Sequence, residues 1–383
     1  MIIKFLKNSS SSLVDYKKYL NLPKNKREII FYAEKESDFV FFKDIIYELT
    51  LNQNIEVTYI TSDPNDSILK KKIKNLFKFY IGNIYMRQIF FKTLNTKIFV
   101  MTLPGLGDIQ IQKSKFSVHY IYIPHTLVST HMIFKEDAFD NFDTFFCSSN
   151  IQCKEIRKME KIRNKNKKKL LNFGYPRLDN IIEINKKKKD ILKSGRKILL
   201  APSWGKNGLF ENGAEKIIRF LLERKYYVTI RPHPETLKLN SKIIRSLLST
   251  FKNYNNFSYN PNISSVEDYF NNNILISDWS GAAFEFAFGT LKPVIFLDRI
   301  KKINNNNYEK LKMEPIEVRM RNNLGYIVKE NDLNNINKKI KLLLSAQNKW
   351  KKKIYKLRKK TVFNIGKSSE VGSNYIYSLY KKL

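Results

Sequence analysis

The sequence is poor in the residue types that build metal sites and disulfide frameworks. It contains four histidines and two cysteines in 383 residues. Cys147 and Cys153 occur in "CSSNIQC" without histidine or further cysteine at ligand spacing, so they indicate neither a zinc site nor a secreted disulfide framework. We therefore expect reduced thiols, as in a cytoplasmic protein, and we expect no protein-bound metal and no cofactor.

Long hydrophobic runs are also missing. No apolar run reaches membrane-spanning length, and the N-terminus has no hydrophobic signal core, which predicts a protein that remains in the cytoplasm. Any membrane contact would then be peripheral, at the inner face of the cell membrane.

Acidic residues are scarce as well: 35 of them against 70 lysines and arginines give a net charge of +35. This charge favours anionic partners, such as phosphate esters, nucleic acid or an acidic membrane. Part of the excess reflects composition alone, because lysine and asparagine recur throughout, as in "NKNKKK".

Short apolar runs alternate with amphipathic stretches along the whole chain. The runs predicted as strands are "EIIFYA", "EVTYIT", "KIFVMTL", "HYIYI", "DTFFCSS", "KILLAPS", "YYVTIRP", "NILISD" and "PVIFLD". Most are continuously hydrophobic, which is typical of parallel strands buried on both faces. Helical patterns such as "DFVFFKDIIYEL" and "AEKIIRFLLERK" separate them. The alternation predicts an α/β protein with two doubly wound, Rossmann-like domains.

The break between the domains is predicted in the charged segment Glu183 to Lys197. We expect an N-terminal domain over 1–185 and a second domain over 190–383, ending in two or three helices from about Leu333. Ligands of open α/β sheets bind at the carboxyl ends of the strands, so two facing domains would form a cleft lined by those loops.

The stretch "RPHPE" follows a predicted strand and therefore lies at a carboxyl end. Arg231 and His233 offer hydrogen-bond donors to an anion, while Pro232 and Pro234 restrict the backbone. The alternative is a rigid structural turn with a satisfied histidine.

The stretch "ISDWSGAAFEFAFG" places Ser277, Asp278, Ser280 and Gly281 before a helix predicted from Ala282 to Gly289. Hydroxyls and free amides at a helix N-terminus favour phosphate binding. An ordinary helix cap is the alternative. Further along the helix, Glu285 is placed to reach a ribose hydroxyl or, equally, to face solvent.

Two further loops follow predicted strands. "APSWGKNG" contains Ser203 and Gly205 and is a weak phosphate-binding signal, since it is not a P-loop. In "HYIYIPHTLVSTH", His125 follows a strand and a proline, the position expected of a catalytic base. His119 lies in the strand itself and is predicted to be structural, and His131 is too far from His125 for a zinc pair.

These motifs together resemble a known family. "FGYPRLD", "ILLAPSWG", "IRPHPE" and "SDWSGAAFEFAF", in this order, resemble the CDP-glycerol glycerophosphotransferases, which prime or polymerise teichoic acids and have relatives in capsule synthesis. The resemblance extends from about Met101 to Asp298. It implies a GT-B fold, in which two Rossmann-like domains face each other across a cleft and the second domain holds the nucleotide.

The resemblance also implies residue roles. His233 and Arg231 would hold the donor pyrophosphate, and His125 would be the base. The nucleotide and phosphate pocket would be formed by Ser277, Asp278 and Ser280. Two positions depart from the family pattern: Thr126 follows the histidine where glycine is common, and Gly281 stands where a further serine is frequent.

The function implied is transfer of a phospho-alcohol, such as glycerol phosphate, from a CDP-linked donor to a hydroxyl of a lipid-linked or growing surface glycan, with release of CMP. One alternative is a glycosyltransferase of the same fold that uses a nucleotide sugar. Another is a basic nucleic-acid-binding protein without catalysis. The sequence shows no module that reads DNA or RNA, so we expect no specific nucleic-acid partner.

A basic stretch near the C-terminus raises the question of membrane contact. "WKKKIYKLRKK", Trp350 to Lys360, combines four apolar residues with seven basic ones. As a helix it would lie on an anionic bilayer, or it would pack its apolar edge on the protein.

Overall fold

The computed structural model of the protein describes residues 2–82, 84–188, 195–262 and 265–383, with the backbone alone for 2–10. Two parallel sheets, each covered by helices, organise this part of the chain. The connector predicted to separate them, Glu183 to Lys197, lies partly outside the described residues, which omit 189–194.

The first sheet has seven described strands. They are β1 (Ile29–Ala33), β2 (Val57–Thr61), β3 (Leu76–Tyr80), β4 (Ile98–Met101), β5 (His119–Tyr122), β6 (Thr144–Cys147) and β7 (Lys169–Asn172). Their spatial order is β3-β2-β1-β4-β5-β6-β7, and all pairs are parallel. Every residue of β1, β2 and β4 is buried, because helices cover both faces.

Six helices accompany the first sheet in the described part of the chain. They are α1 (Ile2–Leu20), α2 (Phe39–Tyr47), α3 (Tyr85–Thr93), α4 (Thr130–Ile133), α5 (Asn150–Ile162) and α6 (Pro176–Lys187). Short 3₁₀ turns occur at Lys24–Arg27, Glu36–Asp38 and Ser67–Lys70, and a π-helical turn at Glu48–Asn52 extends α2.

The second sheet has six described strands. They are β8 (Lys197–Leu200), β9 (Tyr227–Ile230), β10 (Phe257–Tyr259), β11 (Ile274–Ser277), β12 (Val294–Asp298) and β13 (Gly325–Lys329). Their order is β10-β9-β8-β11-β12-β13, again parallel throughout. The predicted fold, two Rossmann-like α/β domains with helices at the C-terminus, is confirmed.

Ten helices accompany the second sheet in the described part of the chain. They are α7 (Ala214–Glu223), α8 (Pro234–Leu239), α9 (Ser241–Thr250), α10 (Glu267–Asn271), α11 (Ala282–Thr290), α12 (Ile316–Arg319), α13 (Arg321–Leu324), α14 (Leu333–Ser345), α15 (Gln347–Thr361) and α16 (Ser368–Lys382). A 3₁₀ turn at Tyr308–Leu311 precedes α12.

Helices α6 and α11 join the two halves. Gly289 on α11 lies so close to α6 that a side chain there would overlap Ile181. The last helix returns to the first half, where the ring of Tyr375 packs 5.6 Å from that of Phe146 and Tyr380 donates a hydrogen bond to Glu28. We retain a division at 1–185 and 190–383 as a proposal, with α16 as a helix that crosses back.

Helix α15 carries the basic stretch identified in the sequence. Its apolar edge packs on the protein: Trp350 and Ile354 are buried, and the Trp350 ring lies 5.6 Å from that of Tyr326. Only Tyr355 of its large apolar side chains is substantially exposed, at 41%. These side chains are therefore not free to enter a bilayer. No helix among the described residues is long and apolar enough to span one.

Candidate active site

A cleft of about 590 Å³ lies between the carboxyl ends of the two sheets. In each sheet the strand order reverses at one point, between β1 and β4 in the first and between β8 and β11 in the second. Loops leave such a point in opposite directions and open a crevice, which is where open α/β sheets bind ligands. The loops after all four strands line this cleft, so it combines the two crevices.

His125 reaches the cleft from the loop after β5. Its Nδ1 lies 3.0 Å from the carbonyl oxygen of Thr102. Since a carbonyl only accepts, Nδ1 carries the proton and Nε2 keeps a free lone pair in the neutral ring. The rings of Phe41 and Phe134 lie edge-on to the imidazole, and this burial lowers the pKa of His125 below its ordinary value. The geometry is that of a neutral histidine ready to accept a proton.

His233 has the opposite tautomer. It caps the N-terminus of α8, where its Nδ1 accepts a hydrogen bond of 3.1 Å from the backbone nitrogen of Glu235. The proton of the neutral ring therefore lies on Nε2. The ring stacks on Trp204, with 5.8 Å between centroids. Burial, together with the positive charge of Lys302, lowers the pKa of His233 to about 3, so the imidazole is a neutral hydrogen-bond donor.

Cationic side chains surround His233. Arg231 lines the cleft, is 5% exposed, and is held against Tyr269 by a 2.6 Å hydrogen bond to the phenol oxygen and by its guanidinium lying 4.3 Å from the ring centre. Lys302 lies 4.2 Å from the ring centre of Trp204, and burial lowers its pKa. Lys35 comes from the facing half and forms a 3.0 Å ion pair with Glu235. This end of the cleft suits a polyanion.

Glu285 is occupied by protein partners. Its carboxylate accepts hydrogen bonds from Tyr175 at 2.7 Å and Tyr269 at 3.0 Å, and it forms a 2.9 Å ion pair with Arg177. Burial alone would raise the pKa of Glu285, but Arg177 and these hydrogen bonds hold it below its ordinary value. The carboxylate is therefore not the solvent-facing group that the sequence allowed, although the residue does line the cleft.

The Glu285 cluster connects the two halves. The Tyr175 hydroxyl also lies 3.0 Å from the carbonyl oxygen of His125, so the cluster supports the loop that carries this histidine. Removing one partner of a buried ion pair costs about 3–5 kcal/mol, because the other charge is left unpaired, so we expect truncation of Arg177 to destabilise the joint between α6 and α11.

Most of the predicted site residues meet in this cleft, but not all. Those that line it are Ser203, His125, Arg231, His233, Ser280, Gly281 and Glu285. Gly205, Ser277 and Asp278 do not. Ser277 is fully buried and donates to the carbonyl of Ala201, while Asp278 accepts 2.6 Å hydrogen bonds from the backbone nitrogens of Ser203 and Trp279.

That Ser277, Asp278 and Gly205 bind the donor stays a prediction, although none of the three lines the cleft in this structure. Ser277 and Asp278 tie the loop after β11 to the loop after β8, because their side chains are used between the two strands. Gly205 adopts a φ of +116°, and its carbonyl accepts a hydrogen bond from the Gly208 nitrogen, so it forms a turn in the loop after β8.

The sequence did not indicate Arg177, Trp204 and Lys302, which line the cleft, or Tyr175, which contacts Glu285 beside it. Tyr175 and Arg177 lie in "FGYPRLD", one of the motifs that resemble the family, and this motif could have indicated that they belong to the site. Trp204 directly follows Ser203 in "APSWGKNG", a stretch whose pattern indicates phosphate binding only weakly. Lys302 occurs in a segment rich in lysine and asparagine, where nothing distinguishes it from its neighbours.

The remaining histidines have structural partners. His119 lies 2.8 Å from the Thr144 hydroxyl, and buried His131 forms a 3.2 Å ion pair with Glu155. Among the described residues no group of three or more histidine, cysteine or carboxylate side chains is arranged to hold a metal ion. A second cavity, of about 850 Å³ beside Cys153 and Leu170, is lined by none of the predicted site residues.

The fold and the cleft together define a class: a GT-B protein of two Rossmann-like domains, with its candidate active site between them. Solved structures of this architecture are similar to the chain. The wall teichoic acid polymerase TagF has a TM-score of 0.60 at 15% identity, covering 98% of each chain. A UDP-GlcNAc 2-epimerase from Methanocaldococcus jannaschii has a TM-score of 0.56 at 13% identity, covering 91% of this chain and 99% of that one.

Sequence comparison gives the family. The model of the CDP-glycerol:poly(glycerophosphate) glycerophosphotransferases matches residues 15–370, and the chain belongs to this family of enzymes. The minor teichoic acid biosynthesis protein GgaB of Bacillus subtilis (strain 168) is 25% identical in an alignment of 225 residues, with 47% of this chain and 24% of that protein covered. The chain thus matches about a quarter of the length of this curated relative.

Proposed function

We propose that the chain transfers glycerol phosphate, or a similar phospho-alcohol, from a CDP-linked donor to a hydroxyl of a teichoic-acid-like glycan and releases CMP. One observation carries the proposal. Two neutral histidines of opposite tautomer, His125 and His233, line the same cleft from different domains. One offers a proton acceptor and the other a proton donor, as a transfer between a hydroxyl and a phosphate ester requires.

His125 is proposed to act as the general base. Nε2 takes the proton of the acceptor hydroxyl as its oxygen attacks the phosphorus that bears the alcohol. The new P–O bond forms while the bond from that phosphorus to the oxygen bridging to CMP breaks, and CMP leaves with the electron pair. A positioned base of this kind contributes roughly 10²–10⁴ to the rate.

The donor phosphates are proposed to lie against the second domain. The His233 Nε2 proton, the Arg231 guanidinium and Lys302 would meet the negative charge on the phosphoryl oxygens, together with the N-terminus of α11 beside Ser280. Such groups are held in place before the reaction, which is what makes electrostatic stabilisation effective. Ser203 would contact the same phosphates, and Glu285 would hold the loop of His125.

The acceptor is proposed to be a lipid-linked or growing glycan that reaches the cleft at the inner face of the membrane. The net charge of +35 supports an anionic surface as the partner, because each exposed lysine near such a surface is worth about 1 kcal/mol. We propose peripheral contact of this kind and no specific nucleic-acid partner.

A ligand screen tests the donor. CDP-glycerol, CDP-ribitol and UDP-GlcNAc are compared for their effect on the unfolding temperature of the pure protein. A ligand at a hundred times its Kd adds about 2.7 kcal/mol, which is easily measured. We expect stabilisation by the CDP-alcohols and none by UDP-GlcNAc; stabilisation by the nucleotide sugar alone would contradict the proposal.

A further inference from the structure

Thr126 and Gly281 face each other across the cleft at the start of α11. Both residues line the cleft, and Thr126 directly follows His125. A methyl group placed on Gly281 would lie 2.5 Å from the Thr126 hydroxyl oxygen and 3.6 Å from the nearest Val128 methyl. The Thr126 hydroxyl therefore occupies the space that a side chain at position 281 would fill.

The backbone does not require glycine at this position. Gly281 has φ −59° and ψ −22°, the ordinary right-handed helical conformation, which any residue adopts. Glycine is needed here because it has no side chain, which leaves room for the Thr126 side chain of the other domain. The two residues are therefore a matched pair, with the hydroxyl supplied by the first domain and the room for it by the second.

The Thr126 hydroxyl is available to a ligand. It has no hydrogen-bond partner among the residues that the structure describes, and the side chain is half-buried at the cleft wall. The neighbouring Ser280 hydroxyl, in contrast, accepts a 3.3 Å hydrogen bond from the backbone nitrogen of Ala282. A helix of nine residues begins here, and the partial positive charge of its N-terminus attracts an anion.

We propose that Thr126 is a donor-binding residue, whose hydroxyl donates a hydrogen bond to a pyrophosphate oxygen of the CDP-linked donor at the N-terminus of α11. The inference rests on the proposed function and adds a residue to it. It makes phosphate binding depend on both domains: the loop of the base places a hydroxyl on the phosphates that the second domain holds.

Removing the hydroxyl tests the contact. Thr126→Val keeps the shape of the side chain and Thr126→Ser keeps the hydroxyl. A hydrogen bond to a charged group accounts for roughly a ten- to hundredfold change in affinity. We expect the valine variant to raise the Kd for CDP-glycerol by about that factor, measured by calorimetric titration, and the serine variant to bind like the wild type.

Relocating the hydroxyl tests the pairing. Gly281→Ser alone brings a side chain within 2.5 Å of the Thr126 oxygen and is expected to weaken binding. In Thr126→Ala/Gly281→Ser the two Cβ atoms would lie 3.8 Å apart, an ordinary contact, and the serine supplies the hydroxyl from α11 itself. We expect this double variant to bind CDP-glycerol within about fivefold of the wild type, and tighter than either Thr126→Ala or Gly281→Ser.

The outcomes separate the two proposals. A Thr126→Val variant with wild-type affinity overturns the inference, and so does a double variant whose losses are simply the sum of the single ones. A wild-type protein that neither binds nor turns over CDP-glycerol instead refutes the proposed function. Turnover and binding of the wild type are therefore measured first.

Discussion

The two cleft histidines differ in which ring nitrogen carries the proton. The Nδ1 proton of His125 is held by a backbone carbonyl, whereas the Nδ1 lone pair of His233 is held by a backbone amide. Each backbone contact fixes a tautomer, and the tautomer fixes the role of Nε2. Both residue types and positions were predictable from the sequence, because each histidine follows a strand and a proline.

The two roles predict different losses. We expect His125→Ala to bind CDP-glycerol within a few-fold of the wild type while turnover falls roughly a hundredfold or more, since only the proton acceptor is lost. His233→Ala should weaken donor binding and also slow turnover, because it loses a donor to the phosphates. Calorimetric titration and a turnover assay on the same preparations measure both effects.

His119→Gln is a matched control, because glutamine retains a hydrogen bond to Thr144 and the side chain does not line the cleft. It should behave like the wild type in both assays. The assignment of roles is wrong if His125→Ala loses as much donor affinity as His233→Ala, or if it keeps near-normal turnover.

The sequence alone did not show which side chains contact one another. Glu285 was expected at a ribose hydroxyl or in solvent, but Tyr175 and Arg177 from one stretch of the chain and Tyr269 from another hold its carboxylate. The contact between Thr126 and Gly281 was not predictable from the sequence either. Each was visible as a departure from the family pattern, but their contact across the cleft depends on how the domains meet.

Among the strands, those that the sequence predicts are the most buried ones, and those that it misses are less buried. All nine predicted strands are present. The four it missed are β3, β7, β10 and β13, and these are the two outer strands of each sheet. An edge strand has one side open, so fewer of its residues are buried: β7 and β10 contain no buried residue, and β3 and β13 each contain residues that are only partly buried. The continuous hydrophobic signal of central strands is therefore absent there.

Helix α15 leads to a prediction about membranes. Because Trp350 and Ile354 pack on the protein, its contact with a bilayer would be electrostatic, through exposed lysines, and not by insertion. We expect flotation with anionic vesicles at low salt, none with neutral vesicles, and loss of binding at high salt. Charge reversal at the exposed Lys351 and Lys352 should weaken this binding.

The control is charge reversal at two exposed lysines on other helices, Lys216 and Lys242, which changes the net charge by the same amount. If this variant loses as much binding as the α15 variant, the contact is not specific to α15. Equal flotation with neutral and anionic vesicles would contradict an electrostatic contact altogether.

At the scale of the whole molecule, the site exists because two strand-order reversals face each other. The position of the cleft was predictable, since carboxyl-end loops of both halves carry the unusual residues. The return of α16 to the first half was not, because nothing in its sequence distinguishes a helix that packs on its own domain from one that crosses back. The contact between α6 and α11 was not predictable either. It depends on Gly289, where a side chain would overlap Ile181 of the other helix.

The central claim is that bond breaking occurs at phosphorus, with a CDP-alcohol as donor. The most direct measurement is the identity of the nucleotide released when the wild-type protein turns over CDP-glycerol with a glycerol-phosphate-primed acceptor. We predict CMP, formed in equal amount to the glycerol phosphate added to the acceptor, with the rate reduced about a hundredfold or more in His125→Ala. Release of a nucleoside diphosphate from a nucleotide sugar, with no CMP formed from CDP-glycerol, would contradict the account.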